Sequence, residues 1–164
     1  MKTLEIIFGI LLFIVCYTYV GYGIVLWIMV TIKRIFGKKK ELPEIEEWPE
    51  VTLFITAYNE ELVVEDKMKN CLELDYPKDK LHIVWVTDGS TDHTNELLHR
   101  YPEVKIYYHE ARKGKTAAMN HGIRHVKTPF VIFTDANTYI NSEAVKEMMK
   151  RFVNPKVGCV AGEK

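Results

Sequence analysis

The sequence predicts an α/β fold in which a mostly parallel, twisted sheet carries helices on both faces, and it predicts one membrane-spanning helix ahead of that sheet. Three observations lead to this prediction. An uncharged run of 27 residues occupies positions 6–32. Short apolar segments alternate with segments of helical spacing after residue 50, which is the order of a parallel α/β sheet. Polar clusters follow three of the apolar segments.

Composition favours a folded domain behind a membrane segment. The 164 residues hold 22 basic and 22 acidic side chains, but residues 1–40 contain six bases and one acid, whereas residues 41–164 contain 16 bases and 21 acids. A hydrophobic content of 48% with 12% aromatic residues excludes a disordered tail, a collagen-like repeat and a low-complexity linker. Three widely spaced cysteines without a CxxC pair disfavour a disulfide scaffold or a zinc site and indicate reducing surroundings.

Residues 1–36 are predicted to form a transmembrane anchor. At about 1.5 Å per residue the uncharged run reaches roughly 40 Å, more than the ~30 Å hydrocarbon layer, so the helix tilts or its ends enter the interface. A cleavable signal peptide is the alternative, but its apolar region would span only ~7–15 residues and no clear cleavage site follows the run.

Charge around the anchor predicts its orientation. Basic residues cluster directly behind the run, at Lys33, Arg34, Lys38, Lys39 and Lys40. Because positive charge stays on the cytoplasmic side, we expect a single-pass membrane protein whose carboxyl-terminal domain is cytoplasmic. The cluster can also bind anionic lipid headgroups, although a topology signal alone is the simpler interpretation. An acidic, proline-containing linker is predicted at 37–50.

The first predicted strand, 51–57, is nearly continuous in apolar, β-branched residues, as in a strand buried on both faces. A helix is predicted at 60–72 from its apolar spacing, before a turn at Asp75-Tyr76-Pro77. The second strand is predicted at 81–87. A helix at 92–101 follows, with Ser90 or Thr91 as its cap.

The second half of the domain repeats this alternation. Strands are predicted at 104–108 and 130–134, with a possible fifth at 157–161. Helices are predicted at 115–126 and from a Ser142 cap to about residue 154.

Polar clusters follow three predicted strands: Tyr58-Asn59-Glu60, residues 88–92, and Asp135-Ala136-Asn137. Each cluster alone is typical of ordinary turns and caps. Parallel sheets bind ligands beyond the carboxyl ends of their strands, so three such clusters together indicate one shared crevice.

The residue types in these clusters suit a nucleotide. Asp88 can accept hydrogen bonds from a base or a ribose, and Gly89 lets backbone and ligand approach closely. Asp135 and Asn137 can share a hard divalent cation and the oxygens of a diphosphate, although this pair alone is a weak pattern. Basic residues surround Gly114 at a predicted helix start, which favours an anion.

Several other sites are disfavoured. A P-loop would need glycine at position 109, where the sequence has His109. The GxGxxG, GxSxG and HExxH patterns are absent from the sequence. His121 and His125 lie four apart on one helix face but lack a nearby third metal ligand.

Four strings together resemble glycosyltransferase family 2: ITAYNEE (55–61), VTDGSTDHT (86–94), RKGKTAAMNHG (112–122) and FTDANTYIN (133–141). The resemblance covers roughly residues 50–164. With the membrane helix ahead of it, the sequence looks like the membrane-anchored branch that extends polysaccharides or glycosylates lipid carriers.

The resemblance implies a GT-A fold, a Rossmann-like sheet that binds a nucleotide sugar, commonly UDP-linked. Its expected site residues are Ala57, Tyr58 and Glu60 in the nucleoside pocket, Asp88 at the base, Arg112 and Lys115 near the base or diphosphate, and Asp135 as first acid of the DxD motif. Mg²⁺ or Mn²⁺ is the expected cofactor. Asn137 replaces the second acid and should hold the metal less strongly than a carboxylate.

The resemblance also implies inverting sugar transfer, in which a base deprotonates an acceptor hydroxyl. The family places its catalytic base, acceptor site and QxxRW-type motif further along, so residues 51–164 are expected to form a partial, truncated GT-A domain with the donor half only. Expected partners are a nucleotide sugar, membrane lipid, a glycan or lipid-carrier acceptor and other membrane subunits; no nucleic acid is expected.

Two alternatives remain beside a transferase. One is a membrane-tethered, non-catalytic module that binds a nucleotide or docks a partner through an exposed sheet edge. The other is a phosphoacceptor receiver domain. It fits poorly, because Asn59 and Glu60 stand where the acidic pair after the first strand would be.

Overall fold

The computed structural model describes residues 2–36 and 43–162, which fall into two compact units divided after residue 41. Part of the predicted linker at 37–50 lies outside the described residues, including Lys38, Lys39 and Lys40. The last two residues of the predicted domain also lie outside them.

The first unit is one helix of 35 residues, Lys2–Phe36, long and apolar enough to span a membrane. It consists of α1 (Lys2–Cys16), a π-helical turn (Tyr17–Gly21) and α2 (Tyr22–Phe36). The Thr18 and Thr31 hydroxyls donate to carbonyls four residues back, at 2.7 and 2.8 Å. The helix therefore satisfies these polar groups internally, as an apolar environment requires.

The second unit is built on a four-stranded parallel sheet. Its strands are β1 (Val51–Ala57), β2 (Leu81–Asp88), β3 (Val104–His109) and β4 (Phe130–Asp135), in the order β3-β2-β1-β4. The predicted parallel α/β sheet is confirmed. The possible fifth strand is wrong, because residues 157–161 form no strand.

Three helices connect the strands and a fourth follows β4, and all four are shorter than predicted: α3 (Val64–Leu72), α4 (Thr94–Leu98), α5 (Lys115–Ile123) and α6 (Ala144–Phe152). Helix α3 starts later than predicted because the amides of Glu60 and Glu61 donate to the side chains of Thr94 and Asp92, at the start of α4.

Both predicted helix caps are wrong. Neither Ser90 nor Thr91 caps α4; instead the Asp92 carboxylate accepts the Thr94 amide at 3.0 Å. The side chain of Ser142 does not cap α6, whose first residue is Ala144. The Asn141 side chain accepts the Glu143 amide at 3.0 Å in its place. Asp and Asn compete with Ser and Thr for such positions, and in both cases the acceptor lies two residues before the amide that it accepts.

Two hydrophobic clusters cover the two faces of the sheet. The larger one joins β1 and β2 to apolar residues of α3, α4 and α6, and the smaller one joins the same strands to α5. Helix α5 lies very close to the sheet at Gly122, where an added Cβ would be 2.4 Å from Val86 Cγ2. Helices on both faces of the sheet are therefore confirmed.

The strand order places a topological switch beside β1. From β1 the chain moves outward to β2 and β3, and it then returns to place β4 on the other side of β1. The register pairs Thr56 with Asp135 and Ala57 with Thr87, so the strands end at nearly one level. Crevices at such switch points are the usual ligand sites of open α/β sheets.

Candidate functional site

A cavity of about 310 Å³ opens at the carboxyl ends of β1, β2 and β4. All eight side chains predicted for the donor and metal line it: Ala57, Tyr58, Glu60, Asp88, Arg112, Lys115, Asp135 and Asn137. Thr56 and Ala118 complete the lining. The expected convergence of the three loops at one crevice is therefore confirmed, whereas the binding role of each residue stays a prediction.

The loop after β1 is tied to the loop after β2. Asn59 adopts a left-handed backbone, with φ of 53°, which Asn tolerates better than most residues. Its side-chain oxygen accepts the Thr91 amide at 2.8 Å, and its own amide donates to Ser90 Oγ at 3.1 Å. The Glu60 amide donates to Thr94 Oγ1 at 2.9 Å. These hydrogen bonds fix the backbone on which Tyr58 and Glu60 are carried.

A further clamp between the same loops involves Glu61 and His93. The Glu61 carboxylate accepts both the His93 amide and the His93 ring nitrogen Nδ1, each at 2.9 Å. These hydrogen bonds lower the pKa of Glu61, and the side-chain hydrogen bond raises the pKa of His93. Sequence reasoning did not single out this pair, because it connects loops that lie 32 residues apart.

Asp88 is nearly fully buried, with 4% of its surface exposed. Its Oδ1 accepts the Lys113 amide at 2.9 Å, and its Oδ2 accepts the Gly114 amide at 2.6 Å. His109 Nδ1 lies 3.4 Å from Oδ1. Burial alone would raise the pKa of Asp88, but these hydrogen bonds outweigh it and lower the pKa below the usual value.

The Asp88 carboxylate therefore has a structural task as well as the predicted one. It organises the segment that carries Arg112 and leads into Lys115, the first residue of α5. Gly89 allows this arrangement, because its φ is +69° and an added Cβ would be 2.4 Å from the Arg112 backbone nitrogen. A carboxylate has about four lone-pair sites, so Asp88 retains capacity to accept a donor from a ligand.

The two cationic side chains of the cavity each contact another lining residue. The Arg112 guanidinium carbon sits 4.0 Å from the centre of the Tyr58 ring, in a cation–π contact. Lys115 Nζ lies 2.5 Å from Asp135 Oδ1 in a half-exposed ion pair. Both cations can turn toward a diphosphate, because neither is fixed by burial.

The negative side of the cavity suits a divalent cation. The pKa of Glu60 is raised, first by burial and then by the nearby charges of Asp135 and Asp92. A divalent ion beside Asp135 would relieve this repulsion. Within residues 2–36 and 43–162 no cluster of three His, Cys, Asp or Glu side chains could hold a metal. Mg²⁺ commonly binds one or two protein oxygens together with water and substrate phosphates, and Asp135 with Asn137 fits that pattern.

Helix α3 supports the loop that carries Asp135 and Asn137. The ammonium of Lys67, which is fully buried, donates to Thr134 Oγ1 at 3.2 Å and to the carbonyl of Thr138. Three residues further along, Asn70 binds the backbone of Ile140 twice, each time at 2.8 Å. Sequence reasoning missed both residues; a lysine within an apolar helix face was the available signal.

Residues 52–163 match the family described as glycosyl transferase family 2. Among curated proteins, the chain is 31% identical over 135 residues to a poly-beta-1,6-N-acetyl-D-glucosamine synthase of Staphylococcus aureus (strain COL). That match covers 80% of this chain and 32% of the synthase. A synthase of the same name from Staphylococcus epidermidis is also 31% identical, over 147 residues, with 83% of this chain and 35% of the synthase covered. The chain thus spans about a third of the length of these relatives.

Solved structures share the fold. The mannosyltransferase PcManGT from Pyrobaculum calidifontis, in complex with GDP-Man and Mn²⁺, superposes with a TM-score of 0.73 at 30% identity. The superposition covers 88% of this chain and 44% of PcManGT. S. aureus TarS 1-349, in complex with UDP-GlcNAc, gives a TM-score of 0.59 at 25% identity over 65% of this chain and 31% of TarS.

Proposed function

The chain belongs to glycosyltransferase family 2, and from that premise we propose that it forms the donor-binding part of a membrane-anchored glycosyltransferase. This enzyme transfers a sugar from a UDP-linked nucleotide sugar to a polysaccharide or lipid-linked acceptor. One observation carries the proposal: the eight side chains expected at a donor site line a single cavity at the topological switch of the sheet. The UDP-GlcNAc complex of TarS supports a UDP-linked donor, and the poly-beta-1,6-N-acetyl-D-glucosamine synthase relatives support a polysaccharide product.

Each side chain has a role that its position supports. Asp88, ionised and nearly buried, accepts an N–H of the base. The Tyr58 ring, which Arg112 covers in this structure, offers a stacking face for that base once the guanidinium swings away. Arg112 and Lys115 then bind the diphosphate, because both are cations at the cavity rim.

Asp135 and Asn137 are the proposed ligands for Mg²⁺ or Mn²⁺. When bound, the ion stabilises negative charge on the departing diphosphate. Lys115 contributes to the same end, because its ammonium can transfer from Asp135 to a phosphate oxygen without leaving the cavity.

The amino-terminal helix is proposed as a single-pass anchor formed by residues 1–36, with a linker at 37–50 and the donor domain at 51–164. Lys33 and Arg34 at the end of α2 support a cytoplasmic position for that domain. A nucleotide sugar made in the cytosol would then have direct access to the cavity. Membrane lipid, the acceptor and other membrane subunits are the remaining proposed partners.

Calorimetric titration of the full chain in detergent tests the proposal. UDP with Mn²⁺ should bind the wild-type protein. Asp88→Ala should bind UDP more weakly, whereas Asp79→Ala, which removes an exposed aspartate of a surface turn, should bind normally. GDP serves as the competing nucleotide, and tighter binding of GDP would transfer the proposal to a guanine donor. Absence of any nucleotide binding would contradict the donor-binding function.

One observation favours the non-catalytic docking module as second candidate. Strand β4 is an edge of the described sheet, and a largely apolar groove of about 480 Å³ runs beside it. Phe133 in this groove is 52% exposed. Stable co-purification with another membrane subunit, together with no affinity for UDP, would favour docking over transfer.

A further inference from the structure

Lys67 on α3 is an unusual interior residue, because lysine is almost never fully buried without a charged partner. Its ammonium donates to two neutral oxygens, Thr134 Oγ1 and the Thr138 carbonyl. Among the residues that the structure describes, it forms no ion pair with a carboxylate. Burial lowers the pKa of Lys67, while the charges of Cys71 and Asp135 act in the opposite direction.

The two acceptors of Lys67 lie on either side of the Asp135-Ala136-Asn137 segment. Ala136 points into the core with 2% of its surface exposed, and its two neighbours line the cavity. The Thr138 amide donates to the Asp135 carbonyl at 3.2 Å, which closes the turn. Lys67 therefore joins the two ends of the turn that presents Asp135 and Asn137.

Fastening this loop does not require a charge. Asn70, one helical turn after Lys67, holds the Ile140 backbone with a neutral amide at 2.8 Å. Taking an ammonium out of water costs free energy that neutral hydrogen bonds only partly return. The presence of a cation at position 67 thus calls for a reason beyond loop fastening.

The charge of the cavity supplies that reason. Glu60, Asp88 and Asp135 line it, and the proposed donor brings a diphosphate into it. A buried cation directly behind the loop is poorly screened by solvent and salt, so its attraction reaches an anion in the cavity. The field of Lys67 opposes the repulsion that these carboxylates exert on a diphosphate.

We propose that Lys67 is a positioning residue for the donor diphosphate: it fixes the loop of Asp135 and Asn137 and supplies positive charge from beneath the cavity. This inference rests on the proposed donor-binding function. It also has a signature that loop fastening lacks. Removing the charge weakens binding of a diphosphate but strengthens binding of a free metal cation, whereas loosening the loop weakens both.

The test compares Lys67→Met with Asn70→Ala in the full chain in detergent. Lys67→Met keeps an unbranched side chain of similar length and removes the charge together with the two hydrogen bonds, so its metal affinity is compared with that of Asn70→Ala. Asn70→Ala loosens the same loop and keeps the charge. The probes are UDP in EDTA, uridine in EDTA, and Mn²⁺ alone measured by electron paramagnetic resonance.

In Lys67→Met we expect metal-free UDP affinity to fall by at least about threefold, uridine affinity to stay the same, and Mn²⁺ affinity to exceed that of Asn70→Ala, because both variants loosen the loop but only Lys67→Met removes a positive charge. Asn70→Ala should weaken Mn²⁺ binding. Lys67→Arg, which keeps the charge, should retain wild-type UDP affinity within about twofold. If Lys67→Met does not fold, Lys67→Gln is read in the same way.

Equal UDP affinity in wild type and Lys67→Met would overturn the inference, as would an Mn²⁺ affinity of Lys67→Met no higher than that of Asn70→Ala. A wild-type protein that binds no UDP would instead overturn the proposed function. The Mn²⁺ measurement then still decides whether the charge of Lys67 reaches the cavity.

Discussion

Replacing Asp88 with asparagine should destabilise the second unit as well as weaken nucleotide binding. The carboxylate accepts the amides of Lys113 and Gly114 through different oxygens. Asparagine offers one oxygen, and its NH₂ group would face the second amide, donor against donor. Asp88 is 4% exposed, so water has little access to the position of the lost acceptor.

The structure sets the size of this effect. One charge-assisted hydrogen bond is lost, worth about 1.5–3 kcal/mol, and one partly buried amide loses its acceptor. The long contact to His109, at 3.4 Å, adds little. We expect the free energy of unfolding to fall by about 3 kcal/mol, a large share of the ~5–15 kcal/mol typical of a folded domain.

Urea unfolding of the full chain in detergent measures this difference, with the fluorescence of the buried Trp85 as the signal. Asp79→Asn, on an exposed turn, is the matched control. Because the folded pKa of Asp88 is depressed, its contribution is present above the unfolded pKa of about 3.9 and is lost as pH falls through the folded value. The wild type should therefore approach Asp88→Asn in acid. A loss below about 1 kcal/mol at neutral pH, or one matched by the control, would refute this account of Asp88.

Three further predictions follow from other contacts. Gly122→Ala places a Cβ 2.4 Å from Val86 Cγ2 and 2.7 Å from Phe54 Cζ, so overpacking should lower the free energy of unfolding in urea by about 1–3 kcal/mol. Gly158→Ala, which has open space around it, should be neutral. Equal stability of the two variants would contradict the close approach of α5 to the sheet. Lys115→Ala frees the Asp135 carboxylate, so Mn²⁺ alone should bind more tightly while metal-free UDP binds about tenfold more weakly. If calorimetry shows that both affinities fall, Lys115 does not exchange between the Asp135 carboxylate and a phosphate. The pKa of His93 is raised, so its stabilising contact with Glu61 is complete below about pH 6.5 and is lost as pH rises through the folded pKa. The difference in thermal unfolding temperature between wild type and His93→Gln should therefore be larger at about pH 6 than at about pH 8. A difference that does not depend on pH would exclude this contact as the cause.

The sequence was sufficient for the strands and for the start of α5 but insufficient for the start of α3. Continuous apolar runs such as Val51–Ala57 are buried on both faces, and that burial determines a strand almost without reference to its neighbours. The start of α3 depends instead on Asp92 and Thr94, which capture the amides of Glu61 and Glu60 from a loop about 30 residues away. Local spacing contains no trace of such a contact. The possible strand at 157–161 failed because an apolar run alone does not provide a pairing partner.

The candidate site divides in the same way. Its lining residues could be predicted, because parallel strands bring their carboxyl ends to one edge and each end carries a polar cluster. The support behind the lining could not be predicted. Lys67 and Asn70 act through backbone atoms of a loop about 70 residues later, and no short sequence pattern encodes that distance. The structural task of Asp88 was missed for the same reason, since its partners are main-chain amides.

The π-helical turn at Tyr17–Gly21 makes the amino-terminal helix adjustable in length. The Tyr22 amide donates to the Tyr17 carbonyl, five residues back, so this turn holds one residue more than its neighbours. Removing a single residue here would let α1 and α2 join as an ordinary helix with little change in the direction that either half faces, because the wide turn already holds the extra residue within one turn. A deletion elsewhere in the helix would keep the hydrogen bonding regular but rotate one half by about 100° relative to the other, whereas this turn can lose a residue and leave both halves facing as they do now.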